Sequence, residues 1–239
     1  MKYLVIAAHP DDEILGMGAT IKKLTKKNHI VKIVIMATGI TSRRSNNNDN
    51  SFDYTINEKI EKSSKKQINN LRKDAKKASK ILGVKNLDLF DFPDNEMDKI
   101  SNLEITKKIE KIIIDFKPSV IFTHSKHDLN IDHRILYNST ITATRPFTKT
   151  SVKKIITFEI PSSTEWNFSE NFSPNIFINI EKELSFKLKA MKAYRSEIRK
   201  FPHPRSVEGL EIIAKRWGTV SGFSAAEAFC LVREFKDNF

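Results

Sequence analysis

Cysteine is nearly absent from this sequence, since Cys230 is the only one among its 239 residues. A single cysteine excludes a disulfide framework and also a zinc module built from several thiolates. No apolar run approaches the roughly 20 residues that a membrane-spanning helix needs. The short apolar run before His9 is followed by acidic residues rather than by a small-residue cleavage site, which argues against a signal peptide. We therefore expect a cytoplasmic protein without a membrane span.

Long blocks of like charge are also lacking, although positive charge is in excess. The chain has 41 Lys and Arg residues against 29 Asp and Glu residues, a net charge of +12. Such an excess favours anionic partners such as nucleic acid, nucleotide-linked substrates or membrane surfaces. However, the lysines are spread along predicted helices, where solvated faces are expected, and they form no binding tail. We therefore expect no nucleic-acid partner on the basis of charge.

Short apolar runs alternate with longer segments in which apolar residues have helical spacing. This alternation predicts a single α/β domain over residues 1–239, Rossmann-like, with a mostly parallel sheet flanked by helices. Its ligand site is expected at the carboxyl ends of the strands. The polar segment 41–57 is predicted to be a mobile loop. Strands are predicted at 3–8, 30–37, 87–92, 119–123, 152–160 and 175–180, and helices at 14–24, 58–82, 102–116, 132–144, 180–200, 206–217 and 225–235.

The first predicted strand ends in a histidine and three carboxyl groups, within the segment His9–Glu13. Such groups are costly to place beside a buried sheet unless a cation or a proton offsets them. The spacing lets a tight turn aim His9 and Asp12 at one point, while Asp11 projects differently and would address a metal-bound water. The alternative is that Asp11 or Asp12 caps the following helix, which explains only one acidic residue.

The fourth predicted strand is followed by a second group of histidines. His133 opens the next predicted helix, so that it can face back towards the strand ends. Together with His9 and Asp12 it supplies three nitrogen and oxygen ligands, the number found at catalytic zinc sites that keep one position open for water. For His124 and His127 we keep the interpretation of loop polarity or hydrogen bonding at the strand end.

These residues resemble the zinc-dependent de-N-acetylases of the PIG-L/LmbE type. The resemblance implies that His9, Asp12 and His133 bind Zn²⁺ and that Asp11 is the general base. It also implies an N-acetylated sugar substrate, free or linked to a nucleotide or a lipid, and allows a homo-oligomer. The segments that carry it are Ala8–Glu13, Thr38–Gly39, Leu82–Gly83, Asp94, Asp132–Arg134, Phe158–Trp166, His203–Ser206 and Ala226–Phe229.

One departure from the family pattern concerns a histidine that helps to stabilise the tetrahedral intermediate in many members. Asn130 stands at that position here. An amide can donate a hydrogen bond to the substrate but cannot serve as a general acid. His203 is therefore predicted to supply the missing catalytic group, and the alternative is that its flanking prolines mark a structural loop.

A second departure concerns the binding of an anionic group. Leu71 stands where many members carry an arginine, and Arg72 is its neighbour. We predict that Arg72, or Arg43 or Arg44 in the polar segment, binds such a group instead. Asp94, after the third predicted strand, is predicted to accept a hydrogen bond from a sugar hydroxyl, and its alternative interpretation is a turn residue.

The function expected from these residues is hydrolysis of the amide of an acetamido sugar. Zinc would polarise the acetyl carbonyl and acidify a water molecule, and Asp11 would take the proton and return it to the leaving amine. The rivals are a metal-dependent phosphoesterase and a non-enzymatic α/β module that binds nucleic acid. A dinucleotide-binding fold is disfavoured, because Gly16-Met17-Gly18 lacks the third glycine of that motif.

Overall fold

A computed structural model describes residues 1–40, 58–146 and 152–236, so that the predicted loop at 41–57 lies outside the described residues. None of the helices in these ranges is long and apolar enough to cross a membrane. The strands are β1 Lys2–Ala7, β2 Ile30–Ala37, β3 Asn86–Phe92, β4 Val120–His124, β5 Lys154–Phe158, β6 Ile176–Asn179 and β7 Ala226–Glu234. The α-helices are α1 Asp12–Lys26, α2 Glu58–Leu82, α3 Asn102–Phe116, α4 Ile131–Ala143, α5 Leu184–Met191 and α6 Val207–Ser221.

The strands form one sheet in the order β3-β2-β1-β4-β5-β7-β6. The first five in that order run parallel, and β7 is antiparallel to both of its neighbours. This confirms the predicted single α/β domain with a mostly parallel sheet flanked by helices. The strand order reverses between β1 and β4, so their carboxyl ends lie side by side at the place where such sheets bind ligands.

Strand β1 shows why a continuous apolar run was the correct signal for a central strand. Leu4 and Ile6 face the core cluster formed with α3 and α4, whereas Val5 and Ala7 face the cluster formed with α1, α2 and α5. All four side chains are fully buried. Because helices cover both faces of the sheet, neither face of the strand can be polar.

The helix predicted at 225–235 is wrong, because Ala226–Glu234 is strand β7, paired with β5 and β6. Alanine and glutamate favour helices in isolation. Here the segment Ala226–Phe229 is buried within the sheet, and that tertiary environment outweighs the local preference. The helix predicted at 180–200 is also shorter than expected, since α5 spans only Leu184–Met191.

Helix α1 is broken at Met17, whose backbone angles are φ −153° and ψ 24°. The Glu227 carboxylate of β7 accepts hydrogen bonds from the N–H groups of Ala19 and Thr20, at 3.1 and 2.7 Å. Lys187 of α5 donates to the carbonyl two residues before the break, at 2.8 Å, and pairs with Glu227 at 2.7 Å. This buried ion pair therefore satisfies backbone groups on both sides of the break.

Candidate active site

The predicted site residues lie where β1 and β4 end. The turn after β1 carries His9, Asp11 and Asp12, and the loop and helix after β4 carry Asp128 and His133. Adjacent parallel strands bring the two segments together although they are more than 100 residues apart in sequence. The reversal of strand order opens a cleft there, because the connections that follow β1 and β4 leave the sheet on opposite faces.

Three ligand atoms form a nearly equilateral triangle at this edge. His9 Nδ1 lies 3.3 Å from Asp12 Oδ2 and 3.2 Å from His133 Nε2, and the last two atoms are 3.2 Å apart. In a tetrahedral zinc site, with bonds of about 2.0–2.2 Å, ligand atoms lie about 3.3–3.5 Å apart. The three side chains can therefore hold a metal ion at one point, with a fourth position left for another group.

His133 is held from its other side by Asp128. The Asp128 Oδ1 atom lies 3.0 Å from His133 Nδ1. The same carboxylate accepts hydrogen bonds from the hydroxyl groups of Ser163 and Thr164 and from the Asn130 backbone N–H. Burial raises the pKa of Asp128, but His133 and these hydroxyl donors outweigh it and lower the pKa to about 2. A charged carboxylate behind a ligand histidine fixes the orientation and tautomer of the ring.

His9 is supported in a similar way. Its Nε2 atom lies 3.0 Å from Asp94 Oδ1 and 3.0 Å from Asp132 Oδ2. These three residues form a second group with metal-ligating atoms close together. Asp132 also accepts hydrogen bonds from the backbone N–H groups of Asn95 and Met97, at 2.6 and 3.1 Å. These backbone hydrogen bonds hold the Asp132 carboxylate in the position where it contacts the His9 imidazole.

The electrostatics of this cluster favour positive charge. Burial lowers the pKa of His133, but the carboxylates of Asp12 and Asp128 outweigh it and raise the pKa to about 9. Burial likewise opposes protonation of His9, whose pKa is nevertheless raised well above its usual value by Asp12, Asp132 and Asp94. Several buried carboxylates around two imidazoles require compensating positive charge, which a divalent cation would also provide.

His124 is structural. Its Nε2 atom accepts a hydrogen bond from the Ala8 backbone N–H at 2.8 Å, so the lone pair of this nitrogen is not free to bind a metal ion. The ring is fully buried and stacks on His133 with centroids 3.9 Å apart. Burial and the neighbouring His133 lower the pKa of His124 well below its usual value. The interpretation of strand-end hydrogen bonding is therefore confirmed for His124.

Asp11 stands at the N-cap of α1 but its side chain does not cap the helix. Its φ of 110° lies in the left-handed region, which is strained for a residue other than glycine. Its Oδ2 atom lies 3.2 Å from Arg205 Nη1, and its backbone N–H donates to Glu13, which accepts from Tyr194. Burial raises the pKa of Asp11 well above its usual value, although Arg205 opposes the shift.

A polar cavity of about 120 Å³ opens beside the triangle. Pockets that enclose a drug-sized ligand have volumes of about 300–1,000 Å³, so this cavity is smaller. Its size suits a small acyl group and the adjoining amide. Its lining is formed by His9, Pro10, Asp11, Gly39, Asp94, Asn95, Asn130, Glu197 and Arg205.

The residues predicted to bind substrate fall into two groups. Asp94 and Asn130 line the cavity. Asn130 is the N-cap of α4, accepting from the Asp132 N–H, and its amide donates to Asn95. Arg72 instead pairs with Asp91 at the edge of β3 and does not line the cavity. Arg43 and Arg44 lie outside the described residues.

His203 lies in the loop before α6 and does not line the cavity. Its Nδ1 atom accepts a hydrogen bond from the Arg205 backbone N–H at 3.1 Å, and its ring packs edge-on to Trp166. Arg205, two positions further on, and Glu197 are the residues of this loop that line the cavity.

Sequence reasoning missed Asp128, Arg205 and Glu197. Asp128 follows β4 in a segment already rich in candidate ligands, so its position before His133 was a usable signal. Arg205 belongs to a segment that was singled out for its histidine instead. No signal marked Glu197, whose contact with Arg205 depends on how the connection between α5 and α6 folds.

Residues 4–144 match the family model described as PIG-L: GlcNAc-PI de-N-acetylase. A probable N-acetyl-alpha-D-glucosaminyl L-malate deacetylase 2 of Bacillus cereus is 28% identical over 196 residues, which are 81% of this chain and 82% of that protein. A diacetylchitobiose deacetylase of Thermococcus kodakarensis is 26% identical over an alignment of 239 positions, which covers 97% of this chain and 83% of that protein.

Solved structures share the fold. N,N'-diacetylchitobiose deacetylase from Pyrococcus horikoshii matches with a TM-score of 0.74 at 24% identity, over 97% of this chain and 84% of that chain. A 4-carboxy-2-hydroxymuconate hydratase from Pseudomonas putida matches with a TM-score of 0.72 at 18% identity, over 100% of both chains. Because the same fold occurs in a hydratase, the reaction has to be argued from the side chains at the site.

Proposed function

The chain belongs to the PIG-L family of de-N-acetylases, and from this premise we propose that it is a zinc-dependent hydrolase. Its reaction is removal of the acetyl group from an N-acetylated amino sugar or a conjugate of one. The observation that carries the proposal is the triangle of His9, Asp12 and His133, with sides of 3.2–3.3 Å, beside a buried carboxylate in a small polar cavity.

Zinc is the metal that suits this ligand set. Two imidazole nitrogens and one carboxylate oxygen, with a fourth position open, form the ligand set of several zinc hydrolases. When bound there, zinc polarises a carbonyl oxygen and makes a water molecule more acidic. The carboxylates of Asp128, Asp94 and Asp132 support this assignment, because they contact the outer nitrogens of the two ligand histidines.

Asp11 is the general base in this proposal. Its carboxylate is only 2% exposed and lines the same cavity as His9. From there it takes a proton from the attacking water and returns it to the leaving amine, which keeps the amine from leaving as an anion. His203 stays a second candidate for the proton donor, although its contacts are with Trp166 and with the backbone of Arg205.

The substrate class follows from the size of the cavity and from the relatives. In this proposal the acetamide enters the cavity, and Asp94 and Asn130, which line it, contact the sugar. The relatives are named as a probable deacetylase of N-acetyl-alpha-D-glucosaminyl L-malate and as a deacetylase of diacetylchitobiose. The carrier of the sugar, the contributions of Arg44 and Arg72, and a homo-oligomeric state stay predictions.

The charge of the cavity disfavours the phosphoesterase alternative. Its described lining has three carboxylates, from Asp11, Asp94 and Glu197, against one guanidinium, from Arg205. A bound divalent metal ion would offset part of this charge, but a phosphate monoester carries up to two negative charges and would still meet carboxylates within a few ångströms in a partly buried site. A neutral acetamide carries no such penalty, and its amine product becomes a cation that these carboxylates attract.

The test is acetate release from free, nucleotide-linked and lipid-linked acetamido sugars by the zinc-loaded protein. His133→Ala should lose the metal during chelator dialysis while the protein stays folded. Asp11→Asn should keep the metal and lose about 10²–10⁴-fold in turnover, because an amide cannot accept the proton.

A matched control is Asp115→Asn, the same change at an exposed residue of α3. It should leave both metal content and turnover unchanged. Release of phosphate from esters without release of acetate from any sugar would contradict the proposed reaction. Near-normal turnover of Asp11→Asn would contradict the role of Asp11.

A further inference from the structure

The loop before α6 reaches the site through Arg205. The Arg205 Nη1 atom lies 3.2 Å from Asp11 Oδ2, although the two residues are 194 positions apart. Arg205 and Asp11 line the same cavity, and both contribute side chains to it at the edge where β1 ends. The contact joins a cation to the carboxylate that the proposed function uses as its base.

The guanidinium is itself fixed by two further groups. Its Nε atom donates to Ser162 Oγ at 2.7 Å, and Nη1 also lies 3.3 Å from Glu197 Oε2. The Glu197 side chain is only 2% exposed, so it cannot easily move away from the cation. These contacts are made by different edges of a planar, rigid group, and they define its orientation as well as its position.

The turn that provides Ser162 is strained and serves both sides of the site. Ser162 has a φ of 82°, in the left-handed region that favours glycine. The next two residues, Ser163 and Thr164, donate their hydroxyl groups to Asp128, which holds His133. This one turn therefore helps to fix both Arg205, which contacts Asp11, and Asp128, which contacts His133.

We propose that Arg205 is a positioning residue for Asp11, an inference that rests on the proposed function. By holding Oδ2, the guanidinium stops rotation of the carboxylate and keeps it aimed into the cavity. Simple charge neutralisation is a poorer account, because Glu197 shares the cation and leaves two carboxylates for one guanidinium. Positioning is valuable here, because misplacement of a reacting group by about 1 Å can cost about 10²-fold in rate.

The first experiment compares kinetics of zinc-loaded wild-type protein and Arg205→Ala on the same acetamido sugar. We expect kcat to fall about 10–100-fold, with KM changed less than about threefold and metal content unchanged. Added guanidinium chloride should restore part of kcat in the variant, and an equal concentration of urea should not. Arg205→Lys, which keeps the charge, should also be impaired, because one ammonium group cannot replace the planar fork.

The matched control is Arg199→Ala in the same loop. Arg199 is exposed and donates to the backbone carbonyls of Ser196 and Ile198, so its removal changes the loop charge equally without touching Asp11. Its kinetics should equal those of the wild type and should not respond to guanidinium. Wild-type kcat in Arg205→Ala or in Arg205→Lys would overturn the proposal, as would rescue by urea.

A second measurement tests the contact without activity. In metal-free protein, the shift in the urea midpoint caused by Asp11→Asn should differ between the wild-type and Arg205→Ala backgrounds, because contacting residues are not additive. Equal shifts would overturn the proposed coupling between Arg205 and Asp11. If the wild type releases no acetate from any sugar, the proposed function fails, whereas this cycle still decides whether Arg205 holds Asp11.

Discussion

The ion pair between Lys187 and Glu227 is expected to be among the most sensitive points of the fold. Its side chains are 6% and 3% exposed, and its atoms are 2.7 Å apart. Glu227→Gln leaves the Lys187 ammonium buried without its ion-pair partner, which costs about 3–5 kcal/mol in the free energy of unfolding. Lys187→Met instead leaves the Glu227 carboxylate buried without its cation. The cost in the free energy of unfolding is somewhat smaller, because two helix N–H groups still donate to the carboxylate.

The double variant should be far less destabilised than the sum of the two single variants. It carries no charge at these two positions, and the carbonyl oxygen of the glutamine introduced by Glu227→Gln can still accept from a helix N–H group. The remaining loss is the hydrogen bond from Lys187 to the carbonyl before the break in α1, together with part of the cap, worth about 1–3 kcal/mol. The two single costs sum to at most about 6–10 kcal/mol, so the coupling energy should be several kcal/mol.

Urea unfolding followed by circular dichroism measures all four free energies at one pH and one temperature. The control pair is Lys215 and Glu211 on α6, which has the same 2.7 Å distance but side chains 62% and 42% exposed. Its corresponding variants should show coupling of at most about 0.5 kcal/mol. Additivity within about 0.5 kcal/mol at the buried pair would refute the reasoning.

Three further outcomes are expected. Asp128→Asn should lower zinc affinity about 10–100-fold in chelator competition, because the neutral amide supports His133 less well, and unchanged affinity would contradict that support. Burial and nearby cations lower the pKa of His203 below its usual 6.5. If His203 donates a proton, kcat should fall as pH rises through that lowered pKa, and His203→Gln should not show this fall. Identical pH profiles of the variant and the wild type would exclude His203 as the donor. Gly16→Ala should destabilise the protein by about 1–3 kcal/mol in urea unfolding, because a Cβ there would overlap the buried Phe158 ring. A loss below about 0.5 kcal/mol would show that the ring can move.

The central strands and the place of the site could be predicted from the sequence because local rules decide them. A strand covered on both faces must be apolar throughout, as at Leu4–Ala7, and parallel strands put their carboxyl ends at one edge. Strand β7 was missed because its burial between two strands, rather than its composition, makes it extended. The segment 41–57 offered no comparable rule, since its sequence contains few apolar residues whose spacing could indicate a helix or a strand.

Contacts across the site could not be predicted, because they depend on where long connections return to the sheet. Arg205 reaches Asp11 only when the segment after α5 folds over the strand ends, and Asp128 meets Ser163 only when the turn after β5 does so. The sequence marked His203 by its residue type, which is the usual proton carrier at neutral pH. The chain path instead brings the neighbouring guanidinium into the cavity.

The aspartates of this site show how partners, rather than residue type, determine chemistry. Asp11 and Asp12 are adjacent in the sequence, but the left-handed backbone at Asp11 turns their carboxylates to different partners. Asp12 lies between two imidazoles, which lower its pKa well below the usual value despite burial, and this suits a metal ligand. Asp11 meets one shared guanidinium, and burial raises its pKa, which suits a group that must accept a proton. Exchanging their roles would require exchanging these surroundings, which separate segments of the chain provide.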